Sequence, residues 1–228
     1  MTFHEFIPHI EAARQAGLST LALAGLKAEP AQATYAIEEY RWFWKPQTPN
    51  ILLVADSSVY TSATDLAAPE WEQYRQDIVP PAFPRNPYCG HLYCPGFGSI
   101  QVSDHLEAFR QEVVKEVWDM LVRLAGHPCV AGGLLNQQLI QWKHDMLDSL
   151  KSNGIWLLDA SVLATHRGIG AGDPEGHRHL PDGLACKLHG QWWSNYGSAL
   201  VSRLASENAG QRPSIWLVGQ TLHNRLSQ

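Results

Sequence analysis

Three short apolar runs constrain this chain more than any other feature. They are Ile51-Leu-Leu-Val-Ala-Asp-Ser-Ser58, Gly154-Ile-Trp-Leu-Leu-Asp-Ala-Ser161 and Ser214-Ile-Trp-Leu-Val-Gly-Gln220. Each begins in aliphatic or Trp residues and ends abruptly in small or polar ones. A strand covered on both faces reads as a continuous apolar run, so all three are expected to be buried parallel strands. Ligands of open α/β sheets sit in the crevice outside the carboxyl ends of the strands. Asp56, Ser57, Ser58, Asp159 and Gln220 follow those ends directly, so the sheet is expected to gather them into one site.

The segments between the runs fit that architecture. Phe3, Phe6, Ile7, Ile10 and Ala13 recur at helical spacing, predicting a helix over 2–16 with Gly17 as its stop. A second element over 30–44 ends in the aromatic cluster Tyr40, Trp42, Phe43 and Trp44, and Pro46 and Pro49 break the chain before the first run. Residues 60–100 form a long irregular stretch rich in Pro, Gly and aromatics, a kind of loop that is usually functional or disordered. Ser103 caps a predicted helix running to about Gly126, and a second helix over about 135–151 leads into the middle run. A His- and Gly-rich loop over 165–190, a helix from Gln191 to Ala205 and the last strand complete the chain. This order predicts an α/β protein with a mainly parallel central sheet and helices on both faces, a three-layer α/β/α arrangement. One domain over 1–228, with a helical N-terminal extension of about 1–45, accounts for the length.

Composition narrows the class. Hydrophobic residues make up 45% and charged residues 17%, and no apolar run approaches the length of a membrane span. The start Met1-Thr-Phe-His-Glu-Phe6 lacks the basic residues and apolar core of a secretory signal, so the expected compartment is the cytoplasm. The net charge is −5, which leaves any phosphate-binding face to be local. Its best location is 165–191, where His166, Arg167, His177, Arg178, His179, Lys187 and His189 stand against Asp173, Glu175 and Asp182.

In this order the runs resemble the uracil-DNA glycosylase superfamily. Asn153-Gly154-Ile-Trp-Leu-Leu-Asp159-Ala-Ser-Val-Leu-Ala164 is similar to the family's Gly-Val-Leu-Leu-Leu-Asn-x-x-Leu-Thr strand. Trp142 and Leu147 to Leu150 resemble the helix before it, His189-Gly-Gln-Trp-Trp193 the Gly-Trp helical segment after it, and Ser214 to Gly219 the later strand ending in an aromatic-Gly pair. The match spans roughly residues 50–225 and rests on order and spacing more than on identities.

The resemblance implies a nucleobase N-glycosidic hydrolase acting on DNA or a related substrate, or else an inactive member that binds nucleic acid or a nucleotide. The family's water-handling loop is Gly-Gln-Asp-Pro-Tyr-His or Gly-x-Asn-Pro-Gly. By register Ala55 falls on its Gly, Ser57 on the Asp or Asn, Ser58 on the Pro and Tyr60 on the His. An isolated hydroxyl makes a poor general base, so Asp56, one residue away, is the better catalytic carboxylate, with a structural cap on the following loop as its alternative. Asp159 replaces the family's base-reading Asn. Losing the amide donor would favour a base that presents an amino group, unless Asp159 only caps the strand or pairs with an Arg of 165–190. Phe97, then Tyr93, stand where the family has its stacking aromatic, in Asn86-Pro-Tyr-Cys-Gly-His-Leu-Tyr-Cys-Pro-Gly-Phe-Gly-Ser99. Arg167, His166, Gln220 and His223 are the candidates to face nucleic acid.

The family's last motif, His-Pro-Ser-Pro with an intercalating Leu, has no counterpart after the third run. His127-Pro128 lies in mid-chain. Excision of uracil from duplex DNA is therefore expected to be weak or absent. The four cysteines, 89, 94, 129 and 186, match no ferredoxin-like spacing. His177-x-His179-x6-Cys186-x2-His189 holds ligand types that zinc accepts, though free thiols and no metal or other cofactor are the simpler expectation. No obligate protein partner is evident. No Gly-x-Ser-x-Gly elbow or Gly-x-x-x-x-Gly-Lys-Ser/Thr loop is present, which sets aside the common serine hydrolases and P-loop enzymes.

Overall fold

A computed structural model of the protein describes residues 1–68, 71, 83–94, 96, 97, 114–128, 136–166, 180–219 and 222. The chain order is α1 (Phe3–Leu23), α2 (Ala31–Phe43), β1 (Ile51–Ala55), a short α3 (Ala63–Leu66), α4 (Val114–Ala125), α5 (Asn136–Ser152), β2 (Ile155–Asp159), α6 (Asp182–Trp192), a π-helical turn Trp193–Gly197, α7 (Ser198–Glu207) and β3 (Ser214–Leu217). The mixed α/β class is as the sequence suggests. Ser103 and the first part of its predicted helix lie outside the described residues.

The three apolar runs form one parallel sheet in the order β2-β1-β3. Ile51 sits opposite both Ile155 and Ser214, and Ala55 is level with Asp159. Asp56 and Ser57 therefore leave the central strand at the same end of the sheet where β2 delivers Asp159. Because β2 and β3 lie on opposite sides of β1, the connections run outward in one direction and then cross back. In open α/β sheets, a reversal of this kind marks the end of the sheet where ligands bind.

Burial departs from expectation on one strand. β2 is buried throughout, whereas β3 is exposed along its whole length, with Ile215, Trp216 and Leu217 all more than one-third accessible. Among the described residues β3 has a neighbour on one side only, so it is an edge strand and not a buried one.

Two helix boundaries also differ. Gly17 does not stop α1. It is buried inside the helix, where a Cβ would come 2.7 Å from Leu163 Cδ1 and 3.3 Å from Leu188 Cδ2, so its lack of a side chain lets α1 approach the segment after β2. The stop is Gly25, with φ +73°, next to the Leu26 N–H bond to Leu21 O at 2.9 Å. The helix placed from Gln191 begins earlier, at Asp182, and is interrupted by the π turn at Gly197, where a Cβ would meet the Trp192 ring at 2.7 Å.

The N-terminal helices are part of the core. Phe6 and Ile10 of α1 and Tyr40 and Trp42 of α2 are buried with Trp156 of β2 and Tyr196 of the π turn. The Trp42 and Trp156 rings meet edge to face, 5.3 Å apart.

Candidate active site

The chain leaving β1 is held on two sides. Val59 N–H donates to Gly90 O at 2.8 Å, and Tyr60 N–H to His166 O at 2.7 Å. The segment after β2 thus runs beside the segment after β1, and Val59 and His166 form a parallel bridge. The buried carboxylate of Glu29, between α1 and α2, fixes that second segment by accepting from Ala164 N–H at 3.2 Å. Leu180 N–H then donates to Thr165 O at 3.0 Å, bringing the chain back next to His166 before α6 begins.

This framework surrounds Asp56 with polar side chains from two other parts of the chain, Thr165–His166 and α6. His189 of α6, almost fully buried, places Nε2 2.7 Å from Asp56 Oδ1. His166 places Nε2 3.5 Å from Oδ2. The Thr165 hydroxyl donates to Oδ1 at 3.3 Å. The His189 contact lies off the line a ring N–H would need, and its Nδ1 is buried without a hydrogen-bond partner. Asp56 and His166 each keep 13% of their side-chain surface accessible, so water reaches the carboxylate while protein holds it from behind. A carboxylate flanked by two imidazoles can take a proton from water and pass one to a leaving group.

Ser57 has a supporting role. Its Oγ lies 2.7 Å from the Thr165 hydroxyl, accepts from Thr165 N–H at 2.7 Å and donates to Ser58 O at 2.8 Å. These bonds tie the two strand-following segments together and hold Thr165 against Asp56. Ser58 is buried, and Tyr60 is half-buried beside His166.

Asp159 reaches the same end of the sheet but turns away into the protein. Its Oδ2 accepts from Arg41 Nη2 at 2.7 Å and stands 3.1 Å from His91 Nε2. His91 Nδ1 accepts from Tyr93 N–H at 3.1 Å, which leaves Nε2 to carry the proton toward Asp159. Arg41 also pairs with Glu38, and Glu38 accepts from the Tyr196 hydroxyl at 3.1 Å. Burial alone would raise the Asp159 carboxyl, but Arg41 and His91 outweigh it and hold it below the ordinary range. Asp159 is thus the buried counter-ion of a core arginine, and Oδ2 already has its donors. Its partner comes from α2 and not from 165–190.

The aromatic candidates are buried as well. Tyr93 is 2% exposed and its hydroxyl accepts from Leu157 N–H at 2.7 Å, satisfying an amide of β2. Phe97 is 4% exposed, with its carbonyl bonded by Lys143. Neither presents an open ring face for stacking. Arg167, Gln220 and His223 lie outside the described residues, as do His177 and His179 of the possible zinc cluster. Cys186 and His189 both belong to α6, and no group of three His, Cys, Asp or Glu side chains among the described residues is arranged to hold a metal ion.

The sequence alone singles out none of Thr165, Glu29, Arg41 and His91, and His189 is read there as part of the basic 165–191 face and of a zinc-type cluster, not as a partner of Asp56. One local signal was available for Arg41: it follows Glu38 by one helical turn in a segment otherwise dense in aromatics, where an unpaired charge would not be tolerated.

No family model matches the sequence, and no curated protein or solved structure matches it.

Proposed function

We propose that this chain is a divergent relative of the uracil-DNA glycosylase superfamily, with its three-layer α/β/α arrangement, and that it hydrolyses the N-glycosidic bond of a nucleobase-containing substrate. The observation that carries the reading is Asp56, a partly accessible carboxylate just past the central strand, contacted by His189 and His166. The β2-β1-β3 parallel order supports it, since Asp56 leaves the central strand at the end where ligands of such sheets bind.

In the reaction, Asp56 accepts a proton from water as the water oxygen attacks the anomeric carbon. The bond from that carbon to the base nitrogen breaks, and the base leaves with the electron pair and takes up a proton. His166, the more accessible imidazole, supplies that proton. His189 packs behind Asp56 and sets its orientation. A carboxylate also stabilises the positive charge that develops on the sugar. Asp159 takes no part in reading the base, because its carboxylate is held by Arg41 and His91. DNA, with a flipped or unpaired base, is the preferred substrate class within this reading.

The second reading, a superfamily member that binds a nucleic acid or nucleotide without cleaving it, is favoured by one observation. Ser57, at the family's water-handling position, has its hydroxyl engaged with Thr165. Base release from single-stranded and mismatched oligonucleotides and from free nucleosides, followed chromatographically, separates the two. Release that disappears in Asp56→Asn supports hydrolysis. Saturable binding without release supports the second reading.

A further inference from the structure

At the opposite, amino-terminal end of the sheet lies an open surface pocket of about 450 Å³. Lys45, just before β1, and Lys151, in the last turn of α5, both line it. So do the half-buried rings of Phe3 and Phe43, an edge of Trp42, and the carboxylate-bearing Glu39.

Lys45 Nζ donates to Pro46 O at 3.2 Å and Lys151 Nζ to Phe43 O at 2.8 Å, and neither forms an ion pair among the described residues. Glu207 is near Lys45, but its carboxylate is bonded by the N-terminal ammonium at 2.8 Å and by Arg203 at 3.4 Å. Burial lowers the Lys45 ammonium below its ordinary value. Glu207 opposes this and Lys151 adds to it. Two like charges that line one pocket and repel each other are unfavourable there unless an anion joins them. Lys151 already lies 5.0 Å from the centre of the Phe43 ring, so a ligand anion and a ligand ring would be received side by side.

We propose that this pocket binds a small ligand joining a planar ring to a phosphate, of the size of a nucleoside monophosphate. The phosphate bridges Lys45 and Lys151, the ring lies against Phe3 and Phe43, and Glu39 accepts from a ring amino or sugar hydroxyl group. The site is separate from Asp56, so it stands whether or not the chain is a glycosidase.

Calorimetric titration with adenosine 5′-monophosphate, uridine 5′-monophosphate, the parent nucleosides and inorganic phosphate tests it. At least one monophosphate is expected to saturate below about 1 mM, the limit of a weak specific site, with its nucleoside at least tenfold weaker. The Lys45→Gln/Lys151→Gln variant should lose at least tenfold in affinity with no fall in melting temperature, since it removes a repulsion. Lys151→Arg should retain binding, and Asp56→Asn should not alter it. Equal binding by the double variant, loss of binding in Asp56→Asn, or no saturation by any monophosphate would overturn the proposal.

Discussion

Arg41 of α2 and Asp159 at the end of β2 form a buried ion pair with 2.7 Å between Nη2 and Oδ2, joining the N-terminal helices to the carboxyl end of the sheet. Two pairs of charges sit side by side at this end with different duties. Asp159 is closed into the core with Arg41 and His91, whereas Asp56, on the neighbouring strand, keeps contact with solvent. Asp159 is thus tied into the fold, and Asp56 is the carboxylate left open to solvent.

Asp159→Asn should therefore destabilise the fold instead of altering base preference. Removing the Asp159 charge leaves buried Arg41 with Glu38 as its remaining counter-ion, so the loss is that of a charged hydrogen bond, about 1.5–3 kcal/mol. The sign of the pH dependence follows from the lowered carboxyl. The pair's contribution is complete above the unfolded aspartate value of about 3.9 and is lost as pH falls through the lower folded-state value. Denaturant melts between pH 3 and 7 should show wild type losing more stability on acidification than the variant. Equal stability of the two proteins at pH 7 would show that the pair does not hold the fold.

Tyr93→Phe should expose a second dependence. It removes the acceptor of Leu157 N–H and leaves that amide unpaired in the core, at a cost of about 1–3 kcal/mol. Chemical denaturation measures the cost, and hydrogen exchange at Leu157 should accelerate by more than at the β1 amides. Unchanged exchange at Leu157 would count against the bond.

Gly17→Val tests the approach of α1 to the segment after β2. A branched side chain where a single Cβ already meets Leu163 and Leu188 overpacks the core, which costs about 1–3 kcal/mol. Thermal melts should show the loss, while a side chain at Gly25, just past the same helix, is strained for a different reason, its positive φ.

The sheet was legible because its physics is local. An apolar run ending in Asp or Ser identifies both the strand and the end that carries the site, and Asp56 and Asp159 emerge at one end as their runs imply. The partner of Asp159 was not legible, since Arg41 lies 118 residues away and long-range pairing leaves no periodic trace. Gly17 reads equally as a stop or as a close contact, and only the position of Leu163 decides. His189 lies in a His-rich stretch where a metal ligand and a carboxylate partner have the same appearance. Phe97 and Tyr93 share the composition of a stacking loop, but both rings are buried in the core. The exposure of β3 had no sequence signal, because an apolar run reads the same at a sheet edge as in its centre.

The most direct test of the central claim is single-turnover base release by wild type and Asp56→Asn, on whichever oligonucleotide or nucleoside the wild type cleaves. Loss of a positioned acid–base group predicts a fall of about 10²–10⁴-fold in rate with substrate affinity and melting temperature little changed. An Asp56→Asn protein that folds normally and cleaves at the wild-type rate would contradict the account.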